Sequence, residues 1–168
     1  YQAVNRYSPG QRAPGFSLMD TSGVNVSLAD FRGKVIYVDF WASWCRPCLE
    51  KMQKLKQIKA ELQDPNVVFI HVTFDKDVTE WKEGIKSNGF TGIHLQAPKG
   101  IKAEVSKQYN IKALPEYFII MPNGSFAAKP MRFDLGKVQD TLKRLLPKSD
   151  TITKDRGSIN QVYSDLNK

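Results

Sequence analysis

Two long apolar runs, over residues 35–41 and 67–74, dominate the pattern of hydrophobic and polar positions along this chain. Runs with so few polar interruptions are typical of strands covered on both faces of a sheet. Apolar–polar alternation over residues 16–18 and 24–26, on either side of a turn-forming DTSG segment, predicts a β-hairpin before the first run. Further strands are predicted at 93–95, at 117–121 and, after a tight turn at 122–124, from Phe126 onward.

Helical spacing separates these strands. After Cys48, apolar side chains recur every three or four residues, at Met52, Leu55, Ile58 and Leu62, which is the pattern of an amphipathic helix. A short helical turn is predicted from residue 27 to a stop at Gly33, and a helix over 77–89 with Asp77 or Thr79 as N-cap. The apolar stripe Ile101, Val105 and Tyr109 predicts another helix. A last helix is predicted from Asp134 to Pro147.

The alternation of strands and helices predicts an α/β fold, with a central sheet flanked by helices; the closing hairpin makes the sheet mixed. We expect one domain over residues 1–147, which begins with a polar arm at 1–14. Residues 148–168 form a tail, in which a short amphipathic helix is predicted from the spacing of Ile159, Val162, Tyr163 and Leu166.

The charge balance is basic, with a net charge of +8 from 25 Lys and Arg against 17 Asp and Glu. The basic residues are spread along the chain without a run of four, which favours a solvated basic surface over nucleic-acid binding and leaves an acidic protein partner as the alternative. No apolar stretch has the length needed to cross a bilayer. The sequence starts at Tyr1 with neither an initiator Met nor a signal-peptide pattern, so we expect a processed product whose membrane tether, if it has one, precedes this segment.

The chain has only two cysteines, Cys45 and Cys48. A bridge between residues so close in sequence closes almost no loop, so structural stapling does not explain the pair. Zinc would need further ligands, and the only histidines, His71 and His94, fall in or beside predicted strands. Covalent haem attachment would need His in place of Leu49. For these two reasons we expect neither a metal nor a cofactor. A peroxidase approach sequence is also missing, since Val38 and Ala42 occupy its Pro and Thr positions.

Thiol chemistry is therefore the favoured interpretation of this pair. Cys45 falls at the start of a helix, where unpaired N–H groups and the helix dipole favour a thiolate, and Pro47 suits the first helical turn. Cys48 lies one turn further on, within reach of a mixed disulfide on Cys45. We expect Cys45 to be the exposed nucleophile and Cys48 the buried resolving thiol.

Several separated motifs resemble one family in the right order. They are residues 13–18 (APGFSL), 28–34 (LADFRGK), 38–48 (VDFWASWCRPC) and 109–120 (YNIKALPEYFII). Over roughly residues 10–146 the chain resembles the TlpA/ResA branch of the thioredoxin superfamily. The resemblance implies a thioredoxin fold with an N-terminal β-hairpin and a central insertion.

The same resemblance implies roles for three further residues. Leu114-Pro115 would be a cis peptide bond facing the cysteines, with the backbone of Leu114 free to pair with an extended substrate. Asp39 interrupts an apolar strand, and a buried carboxylate there could take the proton of Cys48. The alternative, that Asp39 only pairs near the strand end, stays open.

The residues around the cysteines suggest tuning and docking. Arg46 stands where thioredoxins have Gly, and a cation beside Cys45 favours the thiolate and hence the reduced form, although solvent screening limits the effect. Trp44 is expected to cover the thiols and offer a docking surface, while Trp41 can be plain core. A functional Glu found in some relatives three residues after the second cysteine is replaced in this chain by Lys51, and its role is not transferred.

Together these features predict a protein-disulfide reductase in the bacterial periplasm or cell envelope. The resemblance implies exported substrate proteins, including apocytochrome c during its biogenesis, and a thiol electron donor that is soluble or membrane-bound. Two alternatives remain: a redox-sensing or adaptor domain of a larger exported protein, and a net disulfide donor acting as oxidase or isomerase.

Overall fold

The computed structural model describes residues 7–128 and 134–146, so the predicted tail helix around Ile159 lies outside the described residues. The strands are β1 (Ser17–Asp20), β2 (Asn25–Ser27), β3 (Val35–Trp41), β4 (Val67–Thr73), β5 (Ile93–Gln96) and β6 (Glu116–Ile120). The α-helices are α1 (Arg46–Leu62), α2 (Val78–Asn88), α3 (Glu104–Gln108) and α4 (Leu135–Leu145), with 3-10 helices at Leu28–Phe31 and Gly100–Lys102.

One six-stranded sheet organises the molecule, in the order β2-β1-β5-β4-β3-β6. β3, β4 and β5 are parallel, whereas β6 runs antiparallel to β3 and β1 runs antiparallel to β5. The predicted mixed sheet of a thioredoxin fold, with its N-terminal hairpin and an inserted helix and strand (α2 and β5), is confirmed. Because parallel strands share a direction, the carboxyl ends of β3, β4 and β5 meet at one edge of the sheet.

The two faces of the sheet carry separate hydrophobic clusters, and alternate residues of β3 contribute to each. One cluster, with α3, includes Val38, Phe40, Ile70, Leu95, Tyr109 and Phe118. The other, with α1 and α4, includes Val35, Tyr37, Leu55, Ile119, Val138 and Leu142. Asp39 lies two residues after Tyr37 in β3, and alternate side chains of a strand point to the same face. The Asp39 side chain therefore lies on the α1 side of the sheet.

Helix boundaries follow the predicted capping residues. Asp77 accepts a hydrogen bond from the Glu80 N–H at the start of α2, and Gly89 ends that helix with φ 61°. Asp134 likewise accepts from the Lys137 N–H at the start of α4. These side chains satisfy backbone donors that the helix leaves unpaired, which confirms both predicted starts.

The segment over 101–109 departs from the predicted helix. Ala103 is extended, with ψ 150°, and divides the segment into the 3-10 turn Gly100–Lys102 and the short α3. Val105 and Tyr109 are buried as their stripe predicts, but Ile101 is 50% exposed. The prediction from periodicity is therefore wrong at Ile101, because this side chain faces the surface beside the cysteines and not the core.

The predicted returning strand after the 122–124 turn is also wrong over the residues described. Only isolated bridges form there, Arg12 with Ser125 and Ile120 with Phe126. The Phe126 N–H donates to the Gln11 carbonyl at 2.8 Å, while the Ala127 N–H donates to the Ile119 carbonyl, also at 2.8 Å. The segment thus divides its hydrogen bonds between β6 and the N-terminal arm, which is docked on the fold.

Candidate active site

Cys45 and Cys48 form a disulfide at the carboxyl end of β3, with an S–S distance of 2.12 Å. Cys45 is the N-cap residue of α1, and Pro47 lies in the first turn, where a missing N–H leaves no helical bond unmade. Cys48 is fully buried, whereas Cys45 is 7% exposed and lines a surface groove. Cys45 is less exposed than predicted, but it is the more exposed of the two cysteines. Which cysteine attacks stays a prediction.

Asp75 holds the loop that carries Cys45. Its carboxylate accepts from the Ser43 N–H at 2.9 Å, from the Ser43 hydroxyl at 2.8 Å and from the Thr73 hydroxyl at 2.6 Å. Asp75 is buried directly after β4, so these bonds compensate the loss of its hydration. The carboxyl ends of β3 and β4 are thereby tied together immediately before Trp44.

The residues predicted to face the cysteines meet there. The Leu114-Pro115 peptide bond is cis, as the resemblance implies, and Leu114 packs against the cluster that contains both cysteines. Trp44 is 70% exposed beside Cys45, whereas Trp41 is buried core. Cys45, Trp44 and Leu114 line the same groove, so these side chains surround the sulfur from two loops.

Arg46 lies on the outer side of the site. Its guanidinium is solvated and its Nε atom lies 3.3 Å from the Glu50 carboxylate. An exposed cation already paired in this way interacts weakly with its other neighbours. We therefore expect Arg46 to influence the Cys45 thiolate only modestly.

Asp39 is buried in β3, beside His71, its register neighbour in β4. Its Oδ1 atom lies 2.9 Å from His71 Nδ1, and His71 Nε2 lies 3.3 Å from the ammonium of Lys59. Lys59 also donates to the Thr91 carbonyl near the surface. A chain of polar atoms therefore leads from the buried Asp39 carboxylate through His71 and Lys59 towards solvent.

Burial shifts the basic groups around this chain of polar atoms towards their neutral forms. His94 stacks on His71 with ring centroids 5.0 Å apart, and burial, reinforced by His71, lowers the pKa of His94 to about 3. Burial also lowers the pKa of Lys59 to about 8, although the carboxylate of Asp39 opposes the shift. Near neutral pH His94 is therefore neutral, whereas most of Lys59 stays protonated because its pKa remains above 7.

Lys51 occupies the position where some relatives carry a functional Glu. Its ammonium lies 4.4 Å from the ring centroid of Tyr117, and burial lowers its pKa to about 8. Its contact with an aromatic face is of the cation–π kind. The residue cannot serve as a carboxylate would, which supports leaving that role untransferred.

Sequence reasoning misses three contributors to this site. His71 is predicted only as a structural residue, although a polar residue inside the second apolar run is the same signal that singles out Asp39. Asp75 follows that run directly, but its partner Ser43 is distant in sequence. The groove lysines enter the sequence argument only through the overall charge. Within the ranges described, no group of three or more His, Cys, Asp and Glu is placed to hold a metal ion.

Comparison with known proteins agrees with this geometry. Residues 33–126 match a family model described as thioredoxin-like. Over 117 residues the chain is 33% identical to the thioredoxin-like protein YneN of Bacillus subtilis, covering 68% of this chain and 66% of that protein. It is 29% identical over 117 residues to the thiol-disulfide oxidoreductase ResA of Bacillus thuringiensis, covering 68% and 65%. These matches span slightly less than two thirds of the relatives' own length.

A solved structure gives the same result at the level of the fold. The thioredoxin domain of a thiol-disulfide oxidoreductase from Bacteroides vulgatus superposes with a TM-score of 0.75 at 26% identity. The superposition covers 83% of this chain and 99% of that one. No α-helix in the described part of the chain is both long and apolar enough to span a membrane.

Proposed function

Because the chain belongs to the thioredoxin-like family, we propose that it is a thiol–disulfide oxidoreductase that reduces disulfides in other proteins. The observation that carries this proposal is the Cys45–Cys48 disulfide at the N-terminus of α1, with Cys45 on a groove and Cys48 buried behind it. The predicted resemblance to ResA-like proteins is confirmed by the named relatives.

The reaction begins from the reduced dithiol. The Cys45 thiolate attacks one sulfur of a substrate disulfide; the substrate S–S bond breaks, one substrate thiolate leaves, and a mixed disulfide forms. The Cys48 thiolate then attacks the Cys45 sulfur, which forms the Cys45–Cys48 disulfide and releases the second substrate thiolate. The substrate gains two electrons and two protons, and an external dithiol donor returns the protein to its reduced form.

Asp39 is our candidate for the proton acceptor of Cys48. The side chain lies on the α1 side of the sheet, where Cys48 begins the buried face of that helix. A buried carboxylate next to an imidazole can accept a proton and pass it on, because the His71–Lys59 chain leads towards the surface. Placement on the same side of the sheet as Cys48 supports this role.

We place this activity in the bacterial cell envelope. The support is the resemblance of residues 38–48 and 109–120 to the TlpA/ResA branch. Exported proteins with accessible disulfides, apocytochrome c included, are then the substrates, and the donor is a soluble or membrane-bound dithiol protein.

Turnover separates an enzyme from a redox-dependent adaptor. With dithiothreitol as donor, the protein should reduce insulin over many cycles, and Cys45→Ser should abolish the reaction. Cys48→Ser should accumulate a mixed disulfide with substrate, seen by non-reducing electrophoresis and mass spectrometry. Binding of a partner in one redox state without any turnover would instead identify an adaptor.

A further inference from the structure

A groove of about 430 Å³ opens beside Cys45, where the loops after β3, β4 and β5 meet the loop before β6. Its large apolar lining side chains are Trp44, Phe74, Ile101 and Leu114. The same groove is lined by four lysines, Lys76, Lys99, Lys102 and Lys112. The nucleophile candidate therefore lies beside a surface that is apolar and strongly basic at once.

These four lysines are all exposed to solvent. No carboxylate belongs to the described lining, and across the described residues none lies within ion-pair distance of the four ammonium groups. Beside Lys76, Asp75 binds Ser43 and Asp77 caps α2. Near Lys102, the Glu104 carboxylate lies 4.0 Å from the ammonium of Lys107. By contrast, Lys137 on α4 lies 3.4 Å from Asp134.

The inserted segment after β5 builds one rim of the groove. It supplies Lys99, Ile101 and Lys102, and Gly100 between them has φ 54°. A Cβ atom on Gly100 would lie 3.3 Å from the Phe74 carbonyl oxygen, so the rim lies close against the end of β4. The backbone of this charged rim is thus packed against the fold next to Cys45.

We propose that this groove selects substrates in which the attacked cysteine lies in an extended, acidic segment with an apolar side chain beside it. This inference rests on the proposed oxidoreductase function and names its substrate class. The apolar lining receives the apolar side chain, and the four ammonium groups attract Asp and Glu on either side. An extended peptide fits better than a bilayer surface, because the apolar atoms and Cys45 lie within a groove.

Opposite charges mainly accelerate encounter, by about 10- to 1,000-fold in favourable clefts, and salt screens the effect. The test is the rate at which Cys45 forms a mixed disulfide in the Cys48→Ala variant. Three peptides share one cysteine, activated as a disulfide with thionitrobenzoate, and one neighbouring Leu; their flanking residues are Glu, Gln or Lys. Attack by Cys45 breaks the activated disulfide, joins the peptide to Cys45 and releases thionitrobenzoate, which is followed by absorbance.

At low salt we expect the Glu peptide to react about 10- to 100-fold faster than the Lys peptide, with the Gln peptide between them and the ratio falling several-fold at high salt. Lys99→Glu with Lys102→Glu should remove or invert that order. The matched control, Lys54→Glu with Lys143→Glu, changes net charge equally on exposed positions outside the groove and should preserve it. Circular dichroism confirms that each variant is folded.

Equal rates for the three peptides at low salt, or equal effects of the two double variants, would overturn the inference. Reaction with no peptide at all would overturn the proposed function instead, so the two failures differ. The change in tryptophan fluorescence that Trp44→Phe removes provides a second measurement. Phosphatidylserine vesicles and a single-stranded oligonucleotide are tested in the same way. If either binds more tightly than the Glu peptide, and Lys99→Glu with Lys102→Glu abolishes that binding, the groove belongs to that ligand and the peptide proposal is overturned.

Discussion

At the scale of single residues, Asp39 combines burial in a central strand with a hydrogen bond to His71 at 2.9 Å. A carboxylate costs several kcal/mol to bury without partners, so its presence in an otherwise apolar strand calls for a chemical use or a strong partner. The hydrogen bond to His71 gives the buried carboxylate such a partner. Kinetics must separate this pairing from a role in proton transfer.

Asp39→Asn should slow the resolving attack by Cys48 roughly 10- to 100-fold near neutral pH while leaving the first attack by Cys45 intact, because only the second step needs the carboxylate. The measurement is rapid acid quenching followed by mass spectrometry of the mixed disulfide. Asp77→Asn, at an exposed cap position, serves as the control. An unchanged lifetime of the mixed disulfide in Asp39→Asn would reduce Asp39 to a structural residue.

His94 should make the oxidised protein less stable in acid. Its pKa is about 3 in the fold, below its ordinary 6.5, so between these values the unfolded chain binds more protons and the free energy of unfolding falls as pH falls. We expect a loss of about 1–2 kcal/mol between pH 7 and pH 5. Burial is the main cause of the shift; His71 and Lys59 reinforce it, and Asp39 opposes it.

Urea unfolding at several pH values, with the disulfide intact, measures this loss. His94→Phe keeps a ring against His71 and removes the titrating group, so its stability should depend less steeply on pH. Identical slopes for the two proteins would show that His94 is not the group responsible.

At the scale of elements, the close contact between α2 and the loop before Cys45 decides how firmly the site is held. A Cβ atom added to Gly84 would lie 2.9 Å from the Ser43 Cβ atom, nearer than side chains ordinarily approach. Gly→Ala in a helix interior normally stabilises by about 0.5–1 kcal/mol. At this position the overlap should outweigh that gain.

Gly84→Ala should therefore destabilise the protein by about 1–3 kcal/mol and slow its reaction with disulfides, because Ser43 must shift together with the loop that carries Trp44 and Cys45. Equilibrium unfolding in urea and an insulin reduction assay check both effects. Lys82→Ala, at an exposed position of the same helix, is the comparison. A stabilised and fully active Gly84→Ala variant would contradict the close packing.

Periodicity predicts the elements wherever one consistent set of neighbours determines burial. Residues 35–41 and the helix after Cys48 follow their patterns for this reason. Ile101 does not, because it belongs to a groove that several loops form together. Phe126 and its neighbours do not form the expected strand, because their hydrogen bonds are shared with Gln11, more than a hundred residues earlier.

The candidate site shows the same limit. Cys45, Cys48 and Pro115 belong to local motifs, so sequence and resemblance identify them. His71 beside Asp39, and Ser43 beside Asp75, are contacts between β3 and β4 or their following loops that depend on strand register. Strand register determines which polar residues face each other, and the register cannot be read from the residue types along the sequence.

At the scale of the whole molecule, the net charge of +8 matters through its distribution. Four of the lysines line the groove beside Cys45, at the edge where the parallel strands end. The sequence alone indicates only a basic surface. Part of that excess positive charge therefore lies at the reactive site. Association with substrates should accordingly weaken as salt increases.

The most direct test of the central claim is the equilibrium reduction potential of the Cys45–Cys48 couple, measured in dithiothreitol or glutathione buffers with alkylation of free thiols. A protein-disulfide reductase should have a value near that of thioredoxin, about −270 mV. A value near about −120 mV would contradict the reductase assignment and indicate disulfide donation. A pair that cannot be cycled at all would contradict the oxidoreductase function itself.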